Sequence, residues 1–237
     1  YAKLQYVPST YTKYIYAVYV NCQSHMPKPF DRRSRNRLAT RKSISDAATR
    51  LFTERGFDHV TVDEIAEAAD VGRMTVFNHF PRKEDMFFDR DEEIRETLRE
   101  TVRQRDPRVS PIEALRLLAH RLVAEESPYV KFSAASQGFI ETIEGSETLK
   151  ARARAIRDEI AQFVALTLSE GAKREPADPA AHLAGSLLLA TWTVAYIQAH
   201  RTFRQNRDTE KAKAAFLSLV DKGTIGLRAA MAGTPYA

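Results

Sequence analysis

The stretch TVDEIAEAADVGRMTVFNHFPRKEDM, residues 61–86, decides how this chain folds. Thr61 stands three residues ahead of Glu64 and just before an apolar-periodic run, so hydroxyl and carboxylate can each satisfy the other's orphan backbone donor, and a helix is predicted to start there. Val62, Ile65, Ala66 and Ala69 then fall at helical spacing and give a narrow apolar face. The run ends at Asp70-Val71-Gly72, where Asp and Gly favour a tight turn. A second short helix is predicted from Arg73 to about Phe80, with Val76 and Phe80 four apart on its buried side, and Pro81 stops it.

Two short helices joined by a turn of three to four residues make a helix-turn-helix, whose second helix suits the major groove of DNA. The outward face of that second helix carries Arg73, Met74, Thr75, Phe77, Asn78 and His79. A single His without His, Cys or Asp partners at ligand spacing makes His79 a phosphate contact in this reading, not a metal ligand.

The same residues resemble the N-terminal domain of the tetracycline-repressor (TetR) family, whose pattern runs roughly T-x-x-x-I-A-x-x-A-G-V-S-x-x-T-[LV]-Y-x-H-F-x-x-K-E-x-L. Thr61, Ile65, Ala66, Ala69, Val71, Thr75, Val76, His79, Phe80, Lys83 and Glu84 keep it. Three positions depart: Asp70 stands in place of Gly, Gly72 in place of a capping Ser, and Phe77 in place of a Tyr whose hydroxyl would meet phosphate. Asp tolerates a left-handed conformation and Gly caps only slightly worse than Ser, so the fold is expected to survive all three. The resemblance implies an all-α, non-enzymatic transcriptional regulator, most often a repressor. It would bind a palindromic operator in double-stranded DNA as a homodimer and respond to a small effector. Arg41, Thr61, Gly72, Arg73, Met74, Thr75, Phe77, Asn78, His79 and Lys83 are the expected DNA contacts, with Arg73 on a guanine edge and Thr61 and Lys83 on phosphates.

Outward from that stretch, residues 1–25 stand apart: Tyr1, Tyr6, Tyr11, Tyr14, Tyr16 and Tyr19 crowd into a segment without one acidic residue or a helical face. The apolar run 14–20 lacks a following small-residue cleavage site, which argues against a signal peptide. Met26-Pro27 reads as the natural start, with the preceding residues a cloning remnant, a mis-assigned start or an atypical arm. Residues 26–34 form a basic arm suited to phosphates or a minor groove, the basic run continuing through Arg35, Arg37, Arg41 and Lys42. A helix is predicted over about 35–55, where Ile44, Ala47, Ala48, Leu51 and Phe52 repeat at helical spacing and Gly56 supplies a left-handed stop. After Pro81 one helix is predicted over 83–105, with Phe87, Ile94, Leu98 and Val102 as its stripe. Ser110-Pro111, Ser127-Pro128, Gly145-Ser146, Gly171 and Asp178-Pro179 punctuate the remainder, and no alternating strand pattern intervenes. The expected architecture is all-α, about nine helices: a helix-turn-helix domain over 35–82, then an effector-binding and dimerisation domain over 83–237.

Composition narrows the classes. With 237 residues and a net charge of +5, the chain can bury a core of its own, and the charge alone points only weakly to an anionic partner. The single Cys22 excludes an internal disulfide and suggests a reducing compartment, the cytoplasm. The uncharged run 183–199 is barely long enough to span a membrane and carries Ser186, Thr191, Thr193 and Gln198, so it reads as a buried helix, with no membrane partner. No Gly-rich phosphate loop, G-x-S-x-G, H-E-x-x-H or paired-Cys motif occurs, so no catalytic residue, metal or cofactor is expected.

Two late helices, about 179–201 and 208–231, carry more apolar surface than one chain has partners to cover, which predicts self-association. The expected interface comprises Ala181, Gly185, Leu188, Phe216, Leu219, Val220 and Leu227, with the small residues admitting close helix approach. The effector is expected among the aromatics Phe132, Phe139, Phe163, Trp192 and Tyr196; Trp192 and Tyr196, one turn apart, join apolar bodies to polar tips.

Overall fold

The computed structural model describes residues 32–237; the Tyr-rich segment 1–25 and most of the basic arm lie outside them. The chain divides into two compact units, Tyr1–Ser43 and Ile44–Ala237. Nine α-helices and no strand occur among the described residues: α1 Arg32–Arg55, α2 Val62–Ala68, α3 Arg73–His79, α4 Asp91–Arg103, α5 Pro111–Ala124, α6 Ala134–Glu144, α7 Glu147–Gly171, α8 Pro179–Asn206 and α9 Thr209–Ala230.

The local signals act where they were expected to. Thr61 caps α2 in a reciprocal box with Glu64, Ser110 caps α5 ahead of Pro111, and Gly56 ends α1 with φ 82°. Asp70 takes the left-handed conformation, φ 53°, in the turn between α2 and α3. In the first unit, α1 already includes Arg32, so residues 32–34 of the expected arm are helical, and Arg32, Arg33, Arg35 and Arg37 are exposed.

One element departs from expectation. In place of a single helix over 83–105 there is a 3-10 turn, Glu84–Met86, then a break before α4. The cause is tertiary: Met86 and Phe87 are buried in the helix-turn-helix core, whereas Leu98 and Val102 belong to the C-terminal core. A straight helix cannot turn one stripe toward two different cores. The Ser45 hydroxyl holds the break by donating to the Met86 carbonyl (3.1 Å) and the Asp89 carboxylate (2.6 Å).

The second unit has three apolar clusters. Ile44, Phe52, Ile65, Val76 and Phe80 centre the first; α4, α5, α7 and α8 share the second; α5, α8 and α9 share the third with Phe132. Arg116 ties α5 to α9 through Asp221 (2.9 Å) while holding Glu113 (2.7 Å). The C-terminal tail folds back so that Tyr236 is fully buried and its hydroxyl donates to Asp178 (2.6 Å), the residue that caps α8.

α8 is long and apolar enough to cross a membrane by length and composition. One side of it, including Ala181, Ala184, Leu188, Ala195 and Ala199, is buried against the rest of this chain. This overturns the expected interface. Ala181, Gly185, Leu188, Phe216, Val220 and Leu227 are all buried in a single chain, and Leu219 is half-buried. Gly185 does mark a close backbone approach, but to α7 of the same molecule: a Cβ there would lie 2.5 Å from the Ala161 carbonyl oxygen. What remains uncovered is the opposite side, where Leu183, Ala190, Val194 and Ile197 are exposed, half-buried Leu187 completes their stripe, and Ile225 of α9 is 71% exposed.

Candidate nucleic-acid interface

α3 exists because Val76 anchors it, fully buried, and Phe80 follows it into the same core; the remaining positions are thereby turned outward. Arg73, Met74, Phe77 and Asn78 are exposed, Met74 to 70%, while Thr75 and His79 are half-buried and Gly72 is an exposed N-cap without a side-chain bond. A contiguous face mixing a guanidinium, an amide and two bare apolar groups on a short helix suits base edges and thymine methyls. Met74 and Phe77 stand exposed together on one turn of this helix.

Arg73 is held across the turn. Its Nη1 donates to Asp63 of α2 (2.7 Å), and the guanidinium lies 5.6 Å from the Phe77 ring centroid. Both members of the ion pair are mostly solvated, so the pair is worth little and a guanine or phosphate can replace Asp63 at small cost. Asp63 was not singled out from the sequence; only its place in the first turn of α2 could have suggested it.

Thr61 and Lys83, both expected at phosphates, serve the fold. The Thr61 hydroxyl accepts from the Glu64 backbone N–H (3.3 Å) and donates to the Glu64 carboxylate (2.8 Å), which also accepts from the Thr61 N–H (2.7 Å). The backbone N–H of Thr61, then the Arg55 guanidinium and the Thr61 hydroxyl, stabilise the anion and pull the Glu64 carboxyl from 4.5 to about 2. Lys83 is half-buried. Its ammonium donates to the Phe57 carbonyl (2.6 Å) and lies 4.1 Å from the Phe57 ring centroid and 5.5 Å from that of Phe52. Desolvation pushes its pKa down, opposed by the charges of Asp58, Glu84 and Glu64. The ring faces and one carbonyl thus occupy the cation that sequence spacing offered to phosphate. Arg41 lies on α1 in the first unit and is half-buried.

The helix-turn-helix is bonded to the C-terminal helices at the α6–α7 corner. Phe87 stacks on Phe139 (4.3 Å between centroids, 7° between planes), Leu149 of α7 is buried in the same cluster as Ile65, and the Ser146 hydroxyl donates to Asp58 (3.1 Å). Arg152 of α7 joins Asp85 (3.0 Å) and Glu159 (2.8 Å).

The five aromatics expected at an effector do not form one group. Phe139 belongs to the corner just described, and Phe163 lies under the guanidinium groups of Arg95 and Arg99 (5.5 and 4.9 Å). Phe132, Trp192 and Tyr196 do share a cluster, with Phe132 and Tyr196 centroids 6.1 Å apart. Among the described residues no group of three His, Cys, Asp or Glu is arranged to hold a metal ion.

Residues 44–89 match the model for bacterial regulatory proteins of the tetR family. The helix-turn-helix domain is thus that of the TetR family. That family is one of transcriptional regulators and not of enzymes. Among curated relatives, the HTH-type regulator YhgD of Bacillus subtilis is 35% identical over 71 residues, 30% of this chain and 36% of YhgD. TcmR of Streptomyces glaucescens is 41% identical over 54 residues, 23% of this chain and 24% of TcmR. The match thus spans about a third or less of these relatives and speaks for the DNA-reading domain. Over the whole fold, a SmeT–triclosan complex superposes with a TM-score of 0.51 at 19% identity, covering 79% of this chain and 91% of that one.

Proposed function

We propose that this chain is a ligand-responsive transcriptional regulator of the TetR family, acting as a repressor that binds a palindromic DNA operator as a homodimer and is released by a small-molecule effector. The observation that carries the reading is the exposed Arg73–Met74–Phe77–Asn78 face of α3, set on a helix-turn-helix whose other side is fully packed. DNA reading is assigned to residues 35–82, effector binding and dimerisation to 83–237, in the cytoplasm. The dimer partner is a second copy, joined through the uncovered stripe Leu183, Leu187, Ala190, Val194 and Ile197 of α8 beside Ile225 of α9. Its 4-3-4-3 spacing is one continuous helix side, and a two-fold pair of recognition helices requires such an isologous contact. Coupling would run through residues 84–103, whose 3-10 turn enters one core and whose α4 enters the other, and through the α6–α7 corner, so that effector and operator affinities trade against each other.

Selection of bound sequences from random DNA tests the reading. The expected product is an inverted repeat whose half-site centres lie about 10 bp apart or a multiple of that, bound by two protomers. Recovery of no preferred sequence, or of an unrepeated site bound by one protomer, would overturn it.

A further inference from the structure

Trp192, Tyr196 and His200 fall four apart on α8 and form one aromatic edge, closed by Phe132 and Phe216. Tyr196 and His200 meet edge to face at 4.5 Å between centroids, His200 and Phe132 at 5.2 Å, Trp192 and Phe216 at 6.3 Å. Within this box the polar atoms are stranded. His200 is 3% exposed, and neither of its ring nitrogens has a hydrogen-bond partner; nor does the buried Nε1 of Trp192. Burial alone acts on His200 and Tyr196, and no neighbouring charge contributes. Burial holds His200 neutral, its pKa pushed down to about 4, and holds Tyr196 protonated, pushed up to about 12.

A buried donor or acceptor left unmet is destabilising, so an interior that could have been Phe or Leu throughout is expected to keep such groups only for use. We propose that this box is where the effector is recognised, and that it takes an uncharged, flat, elongated aromatic molecule bearing a hydroxyl at the His200 end. The inference rests on the reading that the C-terminal domain binds a small effector, and it adds the site and the ligand's chemistry. A neutral imidazole offers one N–H and one lone pair, matching a hydroxyl that both accepts and donates; an anion would find no cation here. His200 stands eight positions after Trp192, about 12 Å along the helix axis, which sets the ligand's length at two rings. Edge-to-face contacts among the present rings are the geometry a further aromatic ring would adopt. Trp192 and Tyr196, each half-buried, are the way in.

The test uses the full chain and three probes: 4-hydroxybiphenyl, biphenyl and biphenyl-4-carboxylate. Binding is measured by calorimetry and by emission of Trp192, the chain's single Trp, so the signal has one source. The hydroxylated probe is expected to shift that emission and to bind at least about fivefold more tightly than biphenyl, the worth of one net hydrogen bond. The carboxylate is expected not to bind. His200→Phe keeps the ring and removes both nitrogens: the preference for the hydroxyl should vanish while the melting temperature holds or rises. Equal binding of hydroxybiphenyl and biphenyl, a preference for the carboxylate, an unchanged Trp192 emission on binding, or no binding of any probe would each overturn the proposal; the last would leave ordered water as the box's occupant. Operator affinity of the unliganded protein is measured alongside. A chain that binds its operator but none of the probes loses this inference and keeps the regulator reading.

Discussion

Replacing Gly185 by Ala adds one methyl group where α8 crosses α7, and the consequence can be worked from the structure. The new Cβ would lie 2.5 Å from the Ala161 carbonyl oxygen and 3.2 Å from the Ala165 nitrogen, both backbone atoms that no rotamer change can move aside. Ordinary contact begins at 3.4 Å, so the two helices must part locally by roughly 0.9 Å. A gap of that size forfeits a quarter to a half of each neighbouring contact along the seam, and overpacking of this kind costs about 1–3 kcal/mol. Against a total stability of about 5–15 kcal/mol the variant folds, with a lower urea midpoint and an unchanged slope. Its mass by light scattering should remain that of the parent, because Gly185 faces α7 and not a second copy. Val194→Glu is the complementary change: it places a carboxylate on the uncovered stripe, where it should leave the urea midpoint of the monomer nearly untouched and shift the mass from dimer to monomer. A Gly185→Ala protein that kept the parent's midpoint while dissociating, or a Val194→Glu protein that stayed dimeric, would refute the assignment of these two sides of α8.

Three further expectations follow from the DNA-reading domain. Arg73→Ala should cost about 1–3 kcal/mol of operator binding and relax preference at one base pair per half-site; a uniform loss over all sequences, seen by competition binding, would make Arg73 a phosphate contact instead. Lys83→Ala should lower stability by about 1–3 kcal/mol through loss of its charged hydrogen bond and ring contacts, yet leave the slope of log affinity against log salt where it was, whereas a slope smaller by about one per protomer would return Lys83 to the phosphate backbone. Glu64 has its pKa depressed in the folded state, from 4.5 to about 2, so its stabilisation is whole above the unfolded value and fades as pH falls from about 4.5 toward 2. The melting-temperature gap between the parent and Glu64→Gln should therefore be open at neutral pH and close on acidification through that window; a gap independent of pH would remove the ionised capping box as its cause.

The stretch 61–86 could be read from sequence because its signals are local. A cap, a turn and an apolar period each act within four or five residues, and so the box of Thr61 and Glu64, the left-handed Asp70, the inward Val76 and the outward Arg73 and Met74 were all legible. All-helical architecture was legible for the same reason, since Ser-Pro and Asp-Pro starts mark helices without reference to anything distant. Spacing could not say which of two cores a stripe enters. Phe87 and Leu98 belong to one apolar period in sequence but to different clusters in space, and only packing broke the helix between them. Nor could spacing assign the apolar sides of α8: Gly185 and Leu188 point to α7 and the interior, Val194 and Ile197 to the outside, a choice set by how three helices cross. Lys83 and His200 make the same point for chemistry. A Lys before a helix invites phosphate and a His on a helix invites no remark, until the fold brings the rings of Phe57 and Phe52 under the one and seals the nitrogens of the other away from every hydrogen-bond partner.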